Sequence, residues 1–175
     1  MATHAATRNI SGLARALAQA GIVSEHDAEA MQLQAQQAGI TFVEQILGTK
    51  RMNAQQLALF GSRAFGVPLL DLAAFDPDLI QKEFFDARVS SARRVLPLHK
   101  RGNRLFVATS DPANLQALEE VRFKTNLVVE PVVVEDDKLV QVIHKLVEAS
   151  GSTLRDMSTG LEDIEVSVTD GGSQL

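Results

Sequence analysis

The chain has 175 residues, 45% hydrophobic and 22% charged, enough for one real core or two small cores joined closely. It contains no cysteine, tryptophan or tyrosine, which excludes disulfides and thiolate metal sites and leaves the core to Leu, Val, Ile, Ala and eight Phe. The formal net charge of −5 sits mostly in residues 151–175, where one basic residue faces five acidic ones; the near-neutral remainder lacks the basic face that a nucleic-acid binder needs.

No apolar run approaches the roughly 18 residues of a spanning helix, and the first residues lack the basic-then-apolar layout of a signal peptide. These features predict a cytoplasmic protein without direct membrane insertion. Residues 1–9 are expected to be a flexible N-terminus. Over residues 10–20, Ile10, Leu13, Ala14, Leu17 and Ala18 follow helical spacing, and Gly21 stops the helix. Ser24 is expected to cap the next helix, with Asp27 three residues on in the place of a capping-box acid. Ala28, Met31 and Ala35 form its apolar stripe and Gly39 ends it.

The same grammar then repeats at an offset of 29 residues. Leu13 falls over Phe42, Leu17 over Ile46, Val23 over Met52, Ser24 over Asn53, Ala28 over Leu57, Met31 over Phe60 and Ala35 over Ala64. Apolar positions match apolar ones and a cap matches a cap, so the pattern predicts two helix–turn–helix units packed on each other. Gly66-Val67-Pro68 closes this helical subdomain, residues 10–68.

Past Pro68 the texture becomes mixed. Leu69–Leu72 reads as a short extended segment, and Asp76-Pro77 as the start of a short helix running to about Phe84. Val95–Leu98 and Leu105–Ala108 read as strands joined across Lys100-Arg101-Gly102-Asn103. Asp111-Pro112 is expected to start a helix reaching about Phe123. Val128–Val134 reads as a strand that Pro131 confines to an edge or a bulge. Asp136 is expected to cap a last helix with Leu139, Val142, Ile143, Leu146 and Val147 on one face. Residues 69–149 thus predict a small α/β subdomain with a three-stranded or slightly larger sheet, and the whole an α+β fold. From residue 150 to 175, Gly, Ser and acidic residues predict a flexible acidic linker toward a further domain.

The repeated helical unit, Gly66-Val67-Pro68-Leu69-Leu70-Asp71-Leu72, Leu96-Pro97-Leu98, Leu105–Pro112 with Asn114, and Leu118–Thr125 resemble the N-terminal domain of bacterial secretion ATPases. These are the motors of type IV pilus extension and type II secretion. The resemblance covers roughly residues 10–149 and implies a regulatory domain preceding a hexameric ATPase core. That core needs the phosphate-binding string G-x-x-x-x-G-K-[ST]. The chain has only Gly48-Thr49-Lys50, with no glycine at the required earlier spacing, so no catalytic residue is expected here and ATP and Mg belong to the full-length protein.

Some members of that family use the repeated unit to bind cyclic di-GMP through two Arg-Leu-Gly triplets. Here the triplets fall on Gly12-Leu13-Ala14 and Thr41-Phe42-Val43, so both arginines and both glycines of the triplets are replaced. A later glycine survives as Gly21 but becomes Lys50 in the second copy. The terminal Gln positions hold Ala35 and Ala64, with Gln34 and Gln36 beside the first. Losing two charged hydrogen bonds, each worth ~1.5–3 kcal/mol, would weaken such a ligand by orders of magnitude.

The first helix is instead rich in small residues. Ile10, Leu13, Ala16, Leu17, Ala20, Met31 and Leu33 are the predicted partner-binding positions. The resemblance implies a PilZ-type adaptor as partner, with the protein's own ATPase core and the pilus platform as further contacts. The alternatives it implies are a degenerate cyclic di-GMP sensor and a type II secretion domain docking a membrane-platform protein. Arg93, Arg94, His99, Lys100, Arg101 and Arg104 bracket the predicted hairpin, as solvated strand ends or as contacts for the acidic tail or an ATPase core. His4, His26, His99 and His144 are scattered without metal-ligand spacing, and no cofactor or metal is expected.

Overall fold

In a computed structural model, residues 10–151 are described; the expected flexible N-terminus and almost all of the expected acidic linker lie outside them. The fold is α+β. Four helices, α1 (Gly12–Gln19), α2 (Glu25–Ala38), α3 (Phe42–Gly48) and α4 (Ala54–Phe65), form the helical part. They pack around Leu13, Leu17, Met31, Val43, Ile46 and Leu57.

The 29-residue repeat is visible in the backbone. α2 and α4 start at equivalent positions, capped by Ser24 and Asn53, whose side chains accept the Asp27 and Gln56 N–H groups at 3.0 and 2.8 Å. Only the second copy closes a full capping box, Gln56 returning to the Asn53 N–H at 3.0 Å. Gly21 and its counterpart Lys50 both take left-handed φ, +74° and +59°, so the second unit keeps the turn without the glycine. The repeat breaks at its end. Ala35 is buried but Ala64 is exposed, because Ala58 and Gly61 with Leu57 carry the buried face of α4.

Beyond Gly66 the chain adds a bridge at Leu69 to Val133 and then three 3-10 turns, Leu72–Ala74, Pro77–Leu79 and Lys82–Phe84, the last two where one short helix was expected. Ile80 is buried and extended between the turns, which breaks the helix. α5 (Ala87–Arg93), capped by Asp86, has no counterpart among the elements predicted from sequence. It is seven residues long and buries only Val89 and Ser90, too little for a periodic signal.

The sheet has order β1-β2-β3. β1 (Val95–Arg101) and β2 (Arg104–Thr109) pair antiparallel through a two-residue turn in which Gly102 takes φ +62°. A register shift leaves Leu98 as the extra residue of a bulge in β1. β3 (Val128–Val133) returns parallel to β2 after α6, with Pro131 in unbroken register opposite Val107 on the edge strand. α6 (Leu115–Thr125) begins later than expected: Asn114 is the cap, accepting the Ala117 N–H at 3.2 Å, and Asp111-Pro112 forms the turn before it.

The last helix, α7 (136–151), covers one sheet face through Leu139, Ile143 and their neighbours, over Leu96, Leu98, Ala108 and Val134. α5 and α6 cover the other, over Val95, Leu105 and Val107. Asp136 does not cap α7 as predicted; it is the first helical residue, and the Glu135 carbonyl accepts the Leu139 N–H. Among the described residues no helix is long and apolar enough to cross a membrane.

Urea denaturation tests the repeat's local logic. Asn53→Ala is expected to cost about 1 kcal/mol. Lys50→Gly, which relieves the left-handed φ, is expected to add up to ~1 kcal/mol after the greater unfolded-state freedom of glycine is subtracted.

Candidate functional site

The helical part meets the sheet part along the loop between β2 and α6. The approach is close because two glycines stand where side chains would intrude. A Cβ on Gly12 would lie 3.3 Å from the Ala113 Cβ, and one on Gly61 would lie 3.4 Å from the Pro112 ring. Gly12 also takes φ +57°, which disfavours any side chain there.

Between these contacts a groove of about 880 Å³ runs along the junction. Gly12, Gln32, Gln36 and Phe42 line its helical side, and Asp111 and Asn114 face them. A recess of about 390 Å³ continues it toward Arg93, Arg94 and Ser110. The fold therefore brings Gly12-Leu13-Ala14, Ala35 and Phe42 to one place, although they come from both copies of the repeat. Thr41, at the second arginine position, is the cap of α3, its hydroxyl accepting the Glu44 N–H at 3.1 Å.

Asp111 is the perturbed acid of this groove. Burial pushes its carboxyl up to about 6, against the lowering effect of the Ala113 N–H that it accepts at 3.0 Å. Its main chain is held by Thr109, whose hydroxyl donates to the Asp111 carbonyl at 3.0 Å and accepts its N–H at 3.1 Å.

Beside the recess lies a charged cluster that the sequence did not reveal. Arg94 ends α5 in the left-handed region, φ +53°, and aims its guanidinium at Asp136 and, at 2.9 Å, at Glu44. Asp136 is also held by the Ser110 hydroxyl, which donates at 2.8 Å. Burial raises the Asp136 carboxyl and outweighs the opposing pull of Arg94 and Ser110. The Arg94 guanidinium thus joins the end of α5 to α3 and α7, and Ser110, just past β2, is tied to the same network through Asp136. The only sequence trace is a basic residue followed directly by a buried strand.

The predicted partner positions divide. Ile10, Leu13, Leu17 and Met31 are buried in the helical core and cannot meet a partner while the domain is folded. The expectation that these four belong to a partner-binding surface is corrected: they are the inward stripe, and the three-to-four-residue spacing that marks them is that of a core face. Ala16 is half-buried, Ala20 and Leu33 are exposed, and Ile22 joins them at the surface.

The basic cluster also divides. Arg93 pairs with Glu120 at 3.3 Å and Arg94 is in the buried network, while Lys100, Arg101 and Arg104 stand exposed at the hairpin tip. His26, His99 and His144 are exposed and apart, and among the described residues no three His, Asp or Glu side chains converge to hold a metal. His4 lies outside the described residues.

A family model described as the MshEN domain matches residues 65–153, the sheet part with the end of α4. The chain is similar to the type IV pilus assembly ATPase PilB of Pseudomonas aeruginosa, at 37% identity over 94% of this chain and 28% of that protein. It is also similar to PilB of Acinetobacter baylyi, at 35% identity over 77% of this chain and 23% of its relative. PilB of Myxococcus xanthus is 27% identical over 88% of this chain and 27% of that protein. The chain spans about a quarter of the length of these relatives.

Among solved structures, MshE with cdg superposes with a TM-score of 0.55 at 24% identity, over 78% of this chain and 99% of that one. The N-terminal domain of XpsE does so with a TM-score of 0.54 at 23% identity, over 74% and 90%. At these identities the likeness is one of fold.

Two measurements test the site. Arg94→Ala strands the buried Asp136 carboxylate and is expected to cost about 3–5 kcal/mol in urea denaturation, with partial recovery on adding Asp136→Asn. The Asp111 carboxyl is raised above its unfolded value of ~3.9, so the native state holds this proton more tightly than the unfolded chain. Its stabilising contribution is full below about pH 4 and is lost as pH rises through about 6. Stability profiles from pH 4 to 7 should show this fall in the parent chain and lose it in Asp111→Asn, which keeps the acceptor for Ala113.

Proposed function

Because the chain belongs to the MshEN domain family, we propose that it is the regulatory, protein-docking domain of a type IV pilus assembly ATPase, acting in the cytoplasm and bound by a PilZ-type adaptor. The resemblance to pilus motors along nearly the whole chain supports the pilus branch. The phosphate-binding string is missing from the sequence, so ATP and Mg are the business of an ATPase core in the whole protein, and this domain is non-catalytic. That core and the pilus platform are its further contacts.

The observation that carries the reading is the structural reuse of the two arginine positions. Gly12 sits at left-handed φ against Ala113, where an arginine would force both backbone and neighbour to shift. Thr41 spends its hydroxyl on the α3 N-terminus. Neither position has a side chain free to pair with phosphate or guanine. The exposed surface of α1, α2 and the turn between them instead offers Ala20, Ile22 and Leu33, with Ala16 half-buried beside them in sequence. Such a surface lets another backbone approach closely and has little polar area to desolvate.

A degenerate cyclic di-GMP sensor is the competing reading, favoured by the groove of about 880 Å³ where the triplet positions meet. Titration calorimetry separates the two. A purified PilZ-type adaptor is expected to bind the chain, and Ala20→Glu with Leu33→Glu, both at exposed sites, should weaken it by roughly tenfold or more at unchanged urea midpoint. A micromolar isotherm with cyclic di-GMP, or adaptor binding indifferent to both substitutions, would overturn the proposal.

A further inference from the structure

The α7 face of the sheet is not fully covered. Toward the β1–β2 hairpin an apolar groove of about 310 Å³ stays open between Leu70, Phe75 and Leu79 on one side and Leu98, Phe106 and Val132 on the other. Its lip is bare, Leu79 being 59% exposed. The groove continues the sheet core, since Leu98, Phe75 and Val132 belong to the cluster that α7 covers farther along.

Its rim is basic. Strand register sets His99 opposite Phe106, Lys100 opposite Leu105 and Arg101 opposite Arg104, so the cations of the hairpin tip stand within a few rungs of the groove. Lys100 and Arg101 have no acidic partner among the described residues, and Arg104 has only Glu130 at 3.5 Å, largely in solvent.

The chain itself comes back to this end. Only Val134 and Glu135 join β3 to α7, so the helix must reverse and run back along the sheet toward the hairpin. β3 is about 20 Å long at ~3.3 Å per residue, and α7, at 1.5 Å per residue, about 24 Å. Residue 151 is therefore delivered at the hairpin end of the molecule.

The sequence past α7 has the matching chemistry. Residues 161–170 read Leu161-Glu162-Asp163-Ile164-Glu165-Val166-Ser167-Val168-Thr169-Asp170. Ile164, Val166 and Val168 recur at period two, which puts them on one face of an extended chain. The segment has four carboxylates and no base. The intervening stretch, fully extended, spans up to roughly 30 Å, enough to reach the groove without strain.

We propose that residues 161–170 dock in cis into this groove, with Ile164, Val166 and Val168 against Leu79, Leu98 and Phe106, and with their carboxylates facing Lys100, Arg101 and Arg104. The docked segment completes the sheet core on its open side and holds the chain beyond it at the hairpin end of the domain. This surface is separate from the α1–α2 strip, so the inference stands or falls independently of the adaptor.

Amide hydrogen exchange on the full chain tests it. Peptides spanning 161–170 are expected to exchange roughly tenfold or more slower than an unstructured chain. Two sets of substitutions should each abolish that protection while β2 stays protected: Leu79→Glu at the exposed lip, and Lys100→Glu with Arg101→Glu at the rim. Added salt should weaken it. Free exchange of 161–170 in the parent chain would overturn the proposal. So would protection that survives both sets of substitutions. Protection that vanishes on dilution would assign the groove to a second copy and overturn docking in cis.

Discussion

One guanidinium holds the two halves of this molecule in register. Arg94 leaves α5 in a left-handed conformation and turns its side chain onto Asp136, at the start of α7, and Glu44, on α3. Asp136 is nearly inaccessible and Arg94 only 17% exposed, so both charges are substantially desolvated and neither tolerates the loss of the other. Such pairs add little net stability once their desolvation is counted. What this one fixes is placement. The Ser110 hydroxyl ties the end of β2 to the same carboxylate, so the sheet, the helix that covers it and the helical repeat share a single anchor.

Around that anchor the junction is built from small residues and polar edges. Gly12 and Gly61 let α1 and α4 approach the Pro112-Ala113 turn, and the long groove runs beside that contact. The apolar clusters stay separate, one among the four helices and one on each face of the sheet. The helical part therefore sits on the sheet part through a few contacts rather than through a shared core. Interfaces of that kind are where domains move first.

Much of this was legible in the sequence because it rests on local grammar. The caps at Ser24 and Asn53, the stops at Gly21, Gly39 and Gly66, the hairpin around Gly102 and the face of the last helix all derive from residues within a few positions of one another. The errors share a cause as well. Ile10, Leu13, Leu17 and Met31 were legible as a stripe, but periodicity marks an apolar face without saying whether protein or partner covers it. α5 was missed because seven residues with one buried aliphatic carry no period, and Asp111-Pro112 misled because a turn before a helix uses the same residues as a cap. The Arg94 network was out of reach for a simpler reason: its members, Glu44, Arg94, Ser110 and Asp136, are far apart in sequence and nothing local marks them.

The repeat follows one backbone path in two copies whose residues differ. Its second copy keeps the left-handed turn at Lys50, a conformation glycine would hold at lower cost, so the backbone path persists where the residue has changed. Gly12 and Thr41 shape the path directly: the bare Cα of Gly12 lets α1 lie against Ala113, and the Thr41 hydroxyl caps α3. Any displacement of the helical part would reach the sheet through Gly12 against Ala113, Gly61 against Pro112 and Glu44 on Arg94. The last of these is a charge shared with the first residue of α7, so a tilt of α3 acts directly on the helix from which the chain continues. The contacts that position the helical repeat are thus the same ones that join it to the sheet and to the last helix.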